Sequence, residues 1–369
     1  MGDLRALPKG HLHYHLEPCM RPSTLSRLCK KYGIDAAANP VMAVPREYSS
    51  FDDFEDTVFA TCFDTIRKPE DLMGIVLDMA EDAAADGVVY IEPAFGAGGI
   101  FAERWPMASE RAVWDVALMA GKVAEERYGV TVRWMVPAVR TLGPESAMKT
   151  ARLAADMAAA GEPVVSFGLH ASEGAKLSGD GPFPPEPFED AFRVAIGAGL
   201  VATPHAGEFL GPDSCRGAVE RLGAERLQHG VRAIEDPATV ELLRSKNVCC
   251  DICPASNVLL KVVTKLSQHS LPAFVKAGIP CTINVDDSLL FGKTIVEEFT
   301  TARETLGLTD EQLQACARAS ITHSGPLLRA KRGISDEAVP KLEKYLKAIE
   351  GWAAVKANGE SHKRKHSAL

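Results

Sequence analysis

Short runs rich in β-branched and small apolar residues alternate along this chain with longer stretches whose apolar residues recur at helical spacing. That alternation is what a parallel sheet with covering helices requires. Eight runs read as strands: Gly10–Leu16, Val88–Glu92, Val132–Val136, Val164–Leu169, Leu200–His205, Arg226–Gln228, Val248–Ile252 and Cys281–Asp286. Between the first two, Leu72, Ile75, Val76, Met79 and Ala80 share one helical face, and Gly87 follows as a stop before the next strand. Ser50 is expected to cap a helix carrying Phe51, Phe54, Val58 and Phe59, with Asp53 answering the cap. Its stripe reads as core packing, although its place after the first strand also allows it to wall a pocket. Eight βα units close a barrel, so the expected fold is α/β: a single (β/α)8 TIM barrel with short extra helices near the N-terminal βα loop. The barrel is expected over 1–352 and a disordered tail, basic at Lys363-Arg364-Lys365, over 353–369. Ser172–Pro187, rich in Gly and Pro, reads as a βα loop on the functional rim.

The length of 369 residues and the hydrophobic fraction of 46% suffice to fill one such core. A formal charge of −8 argues against nucleic acid as a partner, because neutralising phosphates needs clustered Lys and Arg. No run approaches the roughly 18 apolar residues of a membrane helix, and the N-terminus has no signal-like apolar segment, so a cytoplasmic protein is expected. Nine cysteines scattered among apolar segments read as reduced thiols, and those at 249, 250 and 253 as buried strand residues rather than metal ligands. No glycine-rich phosphate loop is present.

Chemistry concentrates at strand ends. In His11-Leu12-His13-Tyr14-His15-Leu16, strand alternation throws His13 and His15 onto one face, where both can reach one metal ion. Taken alone, such a pair can equally line a polar surface. Pro204-His205-Ala206-Gly207-Glu208 puts an imidazole at a strand end and a carboxylate three residues later. Asp286-Asp287 closes the last strand with adjacent carboxylates, whose repulsion a cation or a proton would relieve. His229, in Gln228-His229-Gly230-Val231, ends the sixth strand. In a barrel these ends all face the same rim, and they supply the N and O ligands that zinc accepts.

These stretches, with Leu7-Pro8-Lys9 and Cys253-Pro254-Ala255-Ser256-Asn257, resemble the adenosine deaminases of the amidohydrolase superfamily from Leu7 to about Ile334. The resemblance implies one zinc ion per chain held by His13, His15, His205 and Asp286. It further implies that Glu208 protonates purine N1, His229 handles the attacking water and Asp287 hydrogen-bonds purine N7. Glu17, Leu169 and Ala171 fall where the family contacts its substrate.

The implied reaction is zinc-dependent hydrolytic deamination of an adenosine-like 6-aminopurine nucleoside to the 6-oxopurine and ammonia. The chain departs from the family at Glu17-Pro18-Cys19, at Glu92-Pro93-Ala94 and at His170-Ala171, where Ala171 replaces a glycine. Those changes keep adenine, an N6-substituted adenine or a modified nucleoside such as aminodeoxyfutalosine as alternative substrates. A non-catalytic barrel and another amidohydrolase reaction are the remaining alternatives.

Overall fold

The computed structural model describes residues 2–105, 109–174 and 179–366, with side chains as far as 352. All eight expected strands are present, and every pairing is parallel. They are β1 (Lys9–His15), β2 (Val88–Ala94), β3 (Thr131–Val132 and Trp134–Val139), β4 (Val164–His170), β5 (Val201–Ala202 and His205–Ala206), β6 (Arg226–His229), β7 (Cys249–Ile252) and β8 (Cys281–Ile283). Neighbours in sequence are neighbours in space, and a parallel bridge between Tyr14 and Asp286 joins the last strand to the first. His15 donates its amide to Asp286 O, and Asp286 donates to His13 O, both at 3.3 Å.

The strands depart from continuous runs for local reasons. Pro204 has no amide to give the ladder, so β5 breaks there; Thr203 bonds back to Phe167 O on β4, and Pro204 O accepts from Gln228 on β6. The last strand ends at Ile283, earlier than its apolar pattern suggests. The next residue turns its side chain on β1: Asn284 Oδ1 accepts the amides of Leu12 at 2.9 Å and His13 at 3.1 Å. Asp286 then takes φ +65°, outside the strand region.

The connection from β1 to β2 carries the extra helices, among them Pro22–Tyr32, Phe51–Val58 and Pro69–Ala85. Ser50 caps Phe51–Val58 by accepting the Asp53 amide at 3.1 Å. Asp53 does not answer that cap as expected, because its carboxylate takes Arg46 and the Ser49 amide and hydroxyl instead. The helix runs on into a π-turn, Phe59–Phe63, a form found mostly where a helix serves a site.

The last helix is Val339–His366. Alanine and lysine, strong helix formers, recur through that stretch. Side chains from 353 onward, including the basic run, lie outside the described residues, as do residues 367–369 and positions 175–178 of the Ser172–Pro187 loop. Among the described residues, no helix is long and apolar enough to cross a membrane.

Candidate active site

Ligand-bearing atoms of His13, His15, His205 and Asp286 lie within 4.8 Å of one another at the C-terminal ends of β1, β5 and β8. Two imidazole nitrogens, His13 Nε2 and His15 Nε2, stand 3.3 Å apart, and each lies about 3 Å from the same oxygen, Asp286 Oδ1. His13 Nδ1 faces Asp251 O at 3.2 Å; a carbonyl only accepts, so the proton sits on Nδ1 and the Nε2 lone pair points into the cluster. His205 Nδ1 is buried without a protein partner. Ser256 donates to the other Asp286 oxygen at 2.6 Å, and the Cys19 thiol to the Asp286 carbonyl at 3.0 Å. Three imidazoles and one carboxylate oxygen around a common point are a donor set that fits zinc.

Three further groups surround this cluster. His229 Nε2 is 3.4 Å from Glu208 Oε1 and 3.7 Å from Asp286 Oδ2. Burial first, then the carboxylates of Asp286 and Glu173, push the Glu208 carboxyl well above its ordinary range, which favours its protonated form. Burial and the adjacent Asp286 do the same to Asp287. Glu208 Oε1 and Asp287 Oδ1 are buried with no hydrogen-bond partner, which leaves both free for a bound molecule.

The turn carrying His205 and Glu208 is held from both sides. Glu173, fully buried, accepts the amides of Gly207 on Oε1 and of Glu208, Phe209 and Leu210 on Oε2, at 2.8 to 3.3 Å, and also receives the Ser214 hydroxyl. Arg140, also fully buried, donates to the carbonyls of His205, Leu169 and Phe183. A carboxylate gathers the amides of the turn and a guanidinium gathers the carbonyl that precedes them.

All of this opens on one cavity of about 600 Å³, lined at its polar end by His15, Glu17, His205, Glu208, His229, Asp286 and Asp287. His170 and Ala171, at the end of β4, also line it. Much of the remaining wall is apolar, with Phe51, Phe54, Phe59, Phe63 and Ile100 prominent. Phe51 and Phe54 therefore do both jobs considered from sequence: they pack on each other, Phe54 stacks on Phe291, and both face the cavity.

The decisive comparison is with family models: residues 8–340 match the model described as adenosine deaminase. The chain belongs to the adenosine deaminase family. An aminodeoxyfutalosine deaminase of Streptomyces coelicolor is 33% identical over 90% of this chain and 84% of its own length. An adenine deaminase of the same organism is 32% identical over 87% and 91%. Among solved structures, adenine deaminase from Arthrobacter aurescens superposes with a TM-score of 0.78 at 24% identity, covering 94% of this chain and 99% of that one. This adenosine deaminase family member is accordingly a hydrolase of C–N bonds in cyclic amidines, which removes the non-catalytic reading.

Of the residues singled out from sequence, His13, His15, His205, Asp286, Glu208, His229, Asp287, Glu17 and Ala171 meet at this one site. Leu169 does not. Strand alternation puts its fully buried side chain in the core while His170 takes the cavity face. Glu17 reaches the cavity, but its Oε1 accepts the Ala97 amide at 2.8 Å and burial raises its pKa to about 7. All nine cysteines are unpaired and buried. Cys253 lies 3.4 Å from His13 Nδ1, close enough to form with His13 and His229 a second possible ligand trio. Asp251 O already claims the proton of that nitrogen, which favours the histidine–aspartate set.

Sequence reasoning missed the supporting groups Arg140, Glu173, Ser256, Asn257 and His269. Only Ser256 and Asn257 carried a signal, as part of the Cys-Pro-Ala-Ser-Asn stretch.

Proposed function

We propose that the protein is a zinc-dependent deaminase that hydrolyses an adenosine-like 6-aminopurine nucleoside to the 6-oxopurine and ammonia. The observation that carries this reading is the convergence of His13, His15, His205 and Asp286 beside Glu208 and His229, at the polar end of one cavity. A bound zinc ion would supply a water whose pKa is lowered towards neutrality.

The chain's own residues supply the rest. Glu208, protonated and unpartnered, donates to purine N1 as attack at C6 pushes electron density onto that nitrogen. His229 holds the incoming oxygen opposite it, between the acid and Asp286. Asp287, kept protonated by burial and by Asp286, hydrogen-bonds purine N7. At the far edge of the base, the Ala171 amide takes N3; its φ of +73° is what a glycine adopts without strain. The cavity is ample for a nucleoside.

The direct test is absorbance: the purified protein is mixed with adenosine and the spectrum followed towards that of inosine. Silence across adenosine, deoxyadenosine, adenine and N6-alkyladenines would sink the reading.

A second reading keeps the chemistry and changes the substrate. Glu17, which falls where the family contacts its substrate, already spends one oxygen on the Ala97 amide. A weakened sugar contact favours adenine or an N6-substituted adenine, and a modified nucleoside such as aminodeoxyfutalosine stays beside them as an alternative. The same panel decides, since faster turnover of unmodified adenosine than of adenine or any substituted purine removes this alternative.

A further inference from the structure

His229 is the end of a hydrogen-bonded relay that begins at a backbone amide far from the cavity. Leu271 N–H points at His269 Nδ1 at 3.1 Å. His269 Nε2 meets Asn257 Oδ1 at 3.2 Å, and Asn257 Nδ2 meets His229 Nδ1 at 3.1 Å. All three side chains are buried, and the Asn257 side chain is completely so.

The direction of every bond in this relay follows from its first member. A backbone N–H is always a donor, so His269 Nδ1 must present a lone pair. The single proton of that neutral ring is then on Nε2, which can only donate; burial lowers its pKa to about 4, so it stays neutral. Asn257 must offer its oxygen to His269 and its amide N–H to His229. The flipped amide would ask His269 to accept at both nitrogens, leaving a ring with no proton at all. His229 Nδ1 therefore accepts, and the ring's proton is on Nε2.

A separate observation agrees: the carboxyl oxygens nearest His229 Nε2 belong to Glu208 and Asp286, groups an N–H can face favourably.

We infer that Asn257 and His269 are positioning residues that lock His229 in the Nε2–H tautomer, so that His229 donates a hydrogen bond to the attacking oxygen and does not remove its proton. The catalytic consequence rests on the deaminase reading above, whereas the tautomer itself is independent of turnover. With Nδ1 occupied by an N–H donor and Nε2 already protonated, His229 has no vacant lone pair for a proton from water. Its work is to orient the nucleophile between Glu208 and Asp286.

The relay is tested by long-range ¹H–¹⁵N spectra of the zinc-loaded protein labelled with ¹⁵N-histidine. The His229 signals are identified by their loss in His229→Asn. The wild type is expected to show His229 with Nε2 protonated and Nδ1 bare. A His229 protonated on Nδ1, or an imidazolium at neutral pH, overturns the inference.

Asn257→Asp replaces the donor by a pure acceptor and is expected to move the proton to Nδ1. The kcat should fall by about 100-fold, the scale of losing one hydrogen-bond donor to the reacting oxygen, with zinc content and KM little changed. His269→Gln keeps an acceptor for Leu271 and a donor for Asn257 and should retain most activity, while His269→Leu should not. Equal losses in the Gln and Leu variants, or an unchanged His229 spectrum in Asn257→Asp, show a merely structural role. If no aminopurine is turned over yet the wild-type spectrum is as expected, the function fails and the tautomer assignment stands.

Discussion

Glu208 is where a single side chain bears most directly on the reaction. Its burial raises the carboxyl pKa well above the ordinary range, and replacement by glutamine preserves shape while removing the transferable proton. Glu208→Gln is expected to lower kcat by about 10²- to 10⁴-fold with metal content unchanged. Full activity in this variant, read by absorbance alongside elemental analysis, would show that Glu208 is not the proton donor.

Glu298 carries a different consequence, on stability. It is fully buried, its Oε1 accepts the Ala255 amide at 3.0 Å, and Oε2 has no partner. Burial raises its pKa from 4.5 to about 8. Between those values the folded chain keeps a proton that the unfolded chain has released. Its contribution to stability is therefore full below about pH 4.5 and is lost as pH rises through about 8. Urea denaturation of Glu298→Gln and wild type at pH 5 and 8.5 should show the wild type losing more stability over that interval. Parallel losses would contradict the assignment.

At the scale of elements, the site depends on short turns that follow strands, and these turns are held by buried charges more than by regular hydrogen bonding. Ala171, His229 and Asp286 all have positive φ, and all three lie at the cavity. Conformations that cost free energy persist only where the surroundings over-determine them. For the turn after β5, Glu173 and Arg140 do so. Glutamine at 173 offers one oxygen where four amides converge, and its own N–H groups would face donors. Glu173→Gln is expected to destabilise the protein by about 3 kcal/mol, the scale of leaving one or two buried donors unsatisfied. It should also lower kcat, because Glu208 rides on the affected turn. A variant with wild-type stability and rate would show that the clamp is dispensable.

For the whole molecule, the ligands come from the ends of β1, β5 and β8, so a bound cation ties together elements far apart in the chain. A metal that binds only this assembled arrangement stabilises the fold by mass action. Stripping the metal with a chelator should lower the melting temperature and abolish activity, and titration with zinc should restore both at one equivalent per chain. Restoration needing two equivalents, or a melting temperature indifferent to zinc, would contradict the single shared site.

The barrel was legible in the sequence because its two periodicities are local: alternation marks strands and helical spacing marks their covers, whatever lies beyond. The ligands were legible for a related reason, since each sits at a recognisable strand end and parallel strands deliver all such ends to one rim. Strand breaks at Pro204 and Asn284 followed less openly, because an amide missing from the ladder or a side chain replacing it shows only once the partner strand is in place. What tertiary structure alone decided is the set of groups that act across long sequence separations. Glu173 meets the 207–210 amides, Asn257 links His229 to His269, and Leu169 gives way to His170 at the cavity wall. A hydrogen bond has no period and leaves no spacing in the chain, so its partners become visible only where folding has brought them within about 3 Å.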